Sequence, residues 1–241
     1  MDFEQTRFWQ HALHVWQPKR GQGYRFNLDP VLLYGFMQPA EHVLDIGSGT
    51  GILALLLLVS GKAQKVTCVE VQPVLAEWAQ RNAHDHGLQH RMHVECADVR
   101  TYEGGLYDAV VCNPPYFARA SHVPSREPSR DIARHEVLGT LNSFVSCASR
   151  HLKPMGNASF VVPFQRKEEL FKEYRVCGLT LQRARDVHPR EGTEPGHVLS
   201  QACAGGVPHE QEPPLCVHTD VPNVYHPEVA SWLAPPSKLF F

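Results

Sequence analysis

From residue 42 to residue 203 the chain alternates short apolar runs with stretches of helical periodicity, a pattern that restricts it to a doubly wound α/β fold with a mostly parallel sheet. Val43–Ile46, Val66–Glu70, Met92–Cys96, Tyr107–Cys112 and Ala158–Val162 read as strands. Tyr107–Cys112 is the apolar run of a buried strand. Between the strands, the segment from Gly51 to about Ser60 reads as an apolar helix with Gly61 as its stop, and Pro73 opens a second helix to about His84. Over Val137–Leu152, residues Leu138, Leu141, Phe144, Val145, Ala148 and Leu152 share one helical face. Leu179–Val187 and His197–Cys203 are two further strands, with a closing antiparallel pair as one arrangement.

This partition leaves residues 1–40 as a lead-in rich in aromatics and glycine, 41–203 as the main domain and 204–241 as an extension of the same domain. The extension carries many of the prolines and several histidines; a sheet-edge addition and a loosely ordered tail both fit, with Leu215–His218 a short strand. A hydrophobic content of 43% with 20% charged residues suits one large globular domain. The net charge of −2 gives no global nucleic-acid footprint, so such a surface must be local. The longest apolar run, Ile52 to Val59, is far too short for a membrane span, and no basic-apolar leader pattern opens the chain. The seven cysteines form no Cys-x-x-Cys pair, which fits reduced thiols and a cytoplasmic setting.

Two motifs carry chemistry. Asn113-Pro114-Pro115-Tyr116 follows the strand that ends at Cys112. Two prolines cannot continue a strand ladder, so the chain must turn out of the sheet there. The turn presents an amide, a free carbonyl and an aromatic ring. The Asn113 side-chain oxygen and the Pro114 carbonyl can each accept one hydrogen of an exocyclic NH2, and Tyr116 can lie flat against a planar ring. Pro115 and Phe117 flank these groups on the substrate side.

The second motif is Asp45-Ile-Gly47-Ser48-Gly49-Thr-Gly51, at a strand-to-helix turn. Glycines there let backbone approach a ligand without a Cβ clash. The Gly-x-Gly-x-Gly spacing differs from a dinucleotide fingerprint, and Asp45 would repel a pyrophosphate but suits a cationic end such as the amino group of a methionine moiety. Glu70 ends the next strand, where a carboxylate accepts ribose hydroxyls, and Asp98 follows the third, placed for an adenine amino group. The plainer reading of the same residues is a tight turn with helix-capping acids.

These motifs resemble class I S-adenosylmethionine-dependent methyltransferases. Asn-Pro-Pro-Tyr narrows the resemblance to enzymes acting on planar amino or amide nitrogens. Tyr24-Arg-Phe-Asn-Leu-Asp-Pro-Val-Leu-Leu33, the Arg126–Glu136 segment with Ala133-Arg134-His-Glu136, and the closing Leu239-Phe-Phe resemble one subgroup, the bacterial tRNA1(Val) N6-adenine methyltransferases. The resemblance spans residues 20–200 and is thin beyond 204. It implies a Rossmann-like sheet of seven strands in the order 3-2-1-4-5-7-6 with the last strand antiparallel. It also implies S-adenosylmethionine as cofactor, held by Asp45, Gly47, Ser48, Gly49, Gly51, Glu70, Asp98 and Asn113 with help from Asn27 and Asp29, and a tRNA adenosine as substrate. Asn113, Pro114 and Tyr116 would then hold the target base. A protein glutamine N5-methyltransferase shares the tetrapeptide logic, but the residues before Val43 are too few for the helical domain that family carries. DNA adenine and rRNA guanine N2 enzymes are further alternatives.

Arg119, Arg126, Arg130 and Arg134 make a local basic loop after the motif, extended by Lys19, Arg20 and Arg25. It reads equally as a phosphate-binding gate and as a solvated loop partly neutralised by Glu127 and Asp131. His84, His86, His90 and His93 lie at a helix end and in the next loop without a cysteine partner; they read as exposed polar residues, and no metal or membrane partner is expected.

Overall fold

In a computed structural model the described residues are 2–22, 25–115, 139–206 and 210–241. The parallel core runs β3 (Ala40–Ile46), β4 (Ala63–Glu70), β5 (Met92–Cys96), β6 (Tyr107–Cys112) and β7 (Leu152–Pro163). β8 (Leu179–His188) and β9 (His197–Ala204) complete the seven, and β9 lies antiparallel between β7 and β8. The sheet order β10-β8-β9-β7-β6-β3-β4-β5 contains the order the resemblance implied. It has nine strands instead of seven, because β10 (Glu210–Gln211) and β11 (Leu215–Cys216) both add to the outer edge of β8. The extension therefore continues the sheet.

Both faces of the sheet are covered, and alternate residues of each strand feed alternate cores. Val43, Val66, Ala109, Val111 and Val161 pack with α1 (Asp29–Phe36), α2 (Ile52–Val59) and α3 (Pro73–Asp85). Leu44, Val69, Val110, Cys112 and Phe160 pack on the opposite face with α4 (Leu141–His151) and α5 (Lys167–Val176). Every residue of α2 is buried, which is why it is apolar all round. α4 opens with a capping box of Thr140 and Ser143, so it starts later than its apolar stripe suggested; Val137 and Leu138 lie outside the described residues.

The lead-in builds more than a loop. β1 (Phe3–Phe8) and β2 (Leu13–Pro18) form an antiparallel hairpin that packs on α3 through Phe3 stacked on Trp78 at 4.3 Å and Trp16 near the same ring. α1 ends where the Lys62 ammonium donates to the carbonyls of Tyr34 and Met37, closing orphan acceptors at the helix C-terminus.

α6 (Pro227–Leu233) docks on α1 through Trp232. A Cβ on Gly35 would lie 2.1 Å from the Trp232 ring. Gly35→Ala improves helix propensity by about 1 kcal/mol but collides with a rigid ring, an overpacking cost of about 1–3 kcal/mol. Strain outweighs propensity, so the variant is expected to be less stable by about 1 kcal/mol in urea titration, with a red-shifted tryptophan emission. Unchanged or greater stability would show that the ring swings aside freely.

Candidate active site

β3, β4, β5 and β6 run parallel and end on one edge of the sheet. The sequence-predicted residues sit there: Asp45 near the end of β3, Glu70 at the end of β4, Asp98 two residues past β5 and Asn113 one past β6. The chain order reverses between β3 and β6, the point at which open α/β sheets form a ligand crevice.

Local geometry shapes the crevice on the β3–β4 side. Gly47, Gly49 and Gly51 have φ of +73°, +57° and +81°, which side chains with a Cβ rarely adopt. Gly47 and Ser48 donate their N–H groups to the Val69 carbonyl, tying the loop to β4. Gly49 donates to Glu70 Oε2 at 2.9 Å, and among the described residues beyond its chain neighbours no atom lies within 4 Å of where its Cβ would be. Glu70 Oε1 accepts from the Gln72 N–H at 2.9 Å. The Gln72 side-chain amide donates to the same Oε1 at 3.3 Å, so Oε2 is the oxygen that keeps a lone pair, while burial raises the Glu70 pKa against the pull of these donors.

Asp45 is the most perturbed acid of the site. Burial, then the neighbouring Glu70 charge, pushes its pKa up to about 7, although the Ala54 N–H in the first turn of α2 favours the ionised form. Its Oδ2 is fully buried and, among the described residues, has no hydrogen-bond partner; Ser48 Oγ is in the same position. Buried polar atoms left unmatched are costly, so this pair marks a place built for a ligand with donors. Asp98 is partly exposed and gripped by Arg100 at 2.9 Å, which holds its pKa below the usual range. Its Oδ1 also accepts the Arg100 backbone N–H, so the turn-capping reading holds for that oxygen.

On the β6 side Asn113 is half-buried, Pro114 buried and Pro115 half-buried. Tyr116, Phe117, Arg119, Arg126, Arg130 and Arg134 lie outside the described residues. Arg25 is spent within the lead-in, donating to Glu4 and the Pro18 carbonyl, and Lys19 pairs with Asp2.

Asn27 and Asp29 bond to each other at the start of α1. Asn27 donates to Asp29 Oδ2 at 2.7 Å, and Asp29 Oδ1 faces His197 Nε2 at 3.6 Å. His197 opens β9 opposite Pro163. His197 had no sequence signal beyond starting a strand. The expectation that His86 is an exposed loop residue is overturned. It is buried against His14, with its rings 4.2 Å apart, and its Nδ1 bonds the Asn82 carbonyl. Among the described residues no group of three His, Cys, Asp or Glu side chains is placed to hold a metal, and no helix is long and apolar enough to cross a membrane.

Comparison with known proteins follows the same lines. The family model of the methyltransferase small domain matches residues 30–177. The chain is 32% identical over 190 residues to the tRNA1(Val) (adenine(37)-N6)-methyltransferase of Tolumonas auensis, covering 78% of each chain. A predicted O-methyltransferase from Agrobacterium tumefaciens superposes with a TM-score of 0.67 at 20% identity, covering 86% of this chain and 97% of that one. A T. Thermophilus 16S rRNA N2 methyltransferase, solved with AdoMet and guanosine, superposes with a TM-score of 0.56 at 18% identity, covering 84% and 50%. At such identities these two structures share the fold with this chain.

Proposed function

This chain belongs to the methyltransferase small domain family and, within it, to the tRNA1(Val) (adenine(37)-N6)-methyltransferases, and from that premise we propose how its own residues methylate a tRNA adenosine at N6. The observation that carries the proposal is the crevice itself. The unpartnered polar atoms of Asp45 and Ser48, with Glu70 beside them, end on the same sheet edge as Asn113 and Pro114, at the point where the strand order reverses.

S-adenosylmethionine is the cofactor this site suits, and when bound it supplies a methyl group already activated on a sulfonium. The orphaned Asp45 Oδ2 suits the ammonium of its methionine moiety, and the open space at Gly49 admits the ligand against the backbone. Glu70 Oε2, which accepts only the Gly49 N–H, keeps a lone pair for a ribose hydroxyl, while Asp98, both of whose oxygens accept from Arg100, would take an adenine amino group on release of that arginine.

Asn113 Oδ1 and the Pro114 carbonyl each accept one hydrogen of the target amino group. That draws its lone pair out of conjugation and aims it along the line of transfer, so orientation does most of the work. The methylated amine is acidic and its proton leaves to solvent, so no strong general base is needed. Tyr116, with Pro115 and Phe117 beside it, stacks on the base; the arginines from Arg119 to Arg134 meet phosphates. Asn27 and Asp29, bonded to each other with Asp29 facing His197, lend the lead-in's help at the cofactor pocket. An anticodon-loop base is already partly unstacked, so extruding it costs little. A tRNA substrate and reduced cysteines together favour a cytoplasmic enzyme.

Nucleoside mass spectrometry tests this reading. Incubation with S-adenosylmethionine and unmodified tRNA transcripts should produce N6-methyladenosine in one of them. Cofactor binding without any methylated nucleoside would move the substrate to a protein glutamine or a small amine.

A further inference from the structure

The hairpin edge strand β2 pairs with β1 on one side only, so the backbone groups of its other edge need partners. Side chains of α3 supply them. The His14 N–H donates to His86 Nε2 at 3.3 Å. Two residues on, the Trp16 N–H donates to Asn82 Oδ1 at 2.8 Å and the Trp16 carbonyl accepts from Asn82 Nδ2 at 3.1 Å, so the amide imitates a neighbouring strand. The second Nδ2 hydrogen goes elsewhere: it is donated at 2.8 Å to the carbonyl of Thr50, between Gly49 and Gly51. Asn82 has no exposed surface, and three of its four side-chain hydrogen-bonding directions are used, two on Trp16 and one on Thr50. Asn is a poor helix former, so its place inside α3 needs such a reason.

We infer that Asn82 is a positioning residue for the cofactor loop: it fixes the Thr50 peptide plane, and with it the left-handed Gly51 that starts α2, in register with the N-terminal hairpin. The loop is then held from two sides, by Glu70 at the Gly49 N–H and by Asn82 at the Thr50 carbonyl. The inference rests on the cofactor reading above only for what the loop binds. The hairpin becomes part of what keeps the loop ready. Gln17 carries the hairpin's position on to the lead-in by accepting the Phe26 N–H at 3.2 Å.

Three measurements on the full chain decide it. In Asn82→Ala, S-adenosylmethionine affinity by calorimetry should fall about tenfold, while kcat at saturating cofactor stays within about twofold. Amide exchange should quicken together at residues 13–17 and 47–51 and stay unchanged in β8 and β9. Asn82→Asp keeps an acceptor for the Trp16 N–H but turns a carboxylate oxygen toward two carbonyls; it should show the same joint loosening. In the wild-type protein, adding the cofactor should slow exchange at the Trp16 and Gln17 amides. A residue that only staples the hairpin would quicken 13–17 alone, leave 47–51 and the affinity unchanged, and show no cofactor-dependent protection at Trp16; that result overturns the inference. Should the wild-type protein bind no S-adenosylmethionine, the cofactor reading fails, and the exchange pattern of the two variants still decides the role of Asn82.

Discussion

Asn113→Ala is expected to lower kcat/KM for tRNA methylation by on the order of a thousandfold while leaving S-adenosylmethionine affinity within a few-fold. Truncation removes the side-chain acceptor for one amino hydrogen and leaves only the Pro114 carbonyl. The target nitrogen then stays conjugated with its ring, and its lone pair no longer points at the transferred group. Asn113 is half-buried and lies just beyond β6, so the variant should fold normally. Steady-state kinetics separate this account from a binding role: the loss should appear in kcat, with KM for tRNA nearly unchanged. Full turnover in Asn113→Ala would end the proposed mechanism.

Asp45→Asn should produce opposite effects on stability and on binding. The Asp45 carboxyl has its pKa raised from 3.8 to about 7 by burial and by Glu70, the reverse of the usual carboxylate case. Between those values the folded protein binds more protons at this site than the unfolded chain does. Stability therefore falls as pH rises from about 4 through 7, and above 7 the cost of ionising Asp45 is fully present. A displacement of that size corresponds to on the order of 4 kcal/mol. Asparagine carries no charge to bury, so the ligand-free variant should be more stable than wild type at pH 8, by on the order of 2 kcal/mol, and little different at pH 5. Urea titration at the two pH values reads this directly. The same variant should bind S-adenosylmethionine at least a hundredfold more weakly, because the partner of the ligand's ammonium is gone. In wild type, affinity should fall below pH 7 as Asp45 takes up its proton. A variant that binds normally, or that is less stable at pH 8, would show that Asp45 is not the strained acid of the site.

Much of the parallel sheet was legible from local pattern. β5 and β6 match the read segments residue for residue, because short Val- and Cys-bearing runs are bounded on both sides by polar chain. β3, β4 and β7 begin earlier than read, at Ala40, Ala63 and Leu152. Residues such as Glu41, Gln64 and Lys65 join their strands through backbone pairing alone, without an apolar period to announce them. The hairpin β1–β2 escaped because its turn is made by Trp9 and Gln10 at positive φ, not by the glycine or asparagine that usually marks one. The acids Asp45, Glu70 and Asp98 were readable because each follows or ends a recognisable strand, and strand ends of a parallel sheet meet on one edge.

Sequence alone determined the alternation of strands and helices, the glycine turn at Gly47–Gly51 and the break after Cys112, because these follow from local sterics and periodicity. Only the tertiary structure decided that Asp29 faces His197, that burial and Glu70 raise the pKa of Asp45, and that Asn82 joins the hairpin to Thr50. Each of those depends on groups far apart in the chain sharing one desolvated space. Sequence spacing carries no information about that distance or that loss of water.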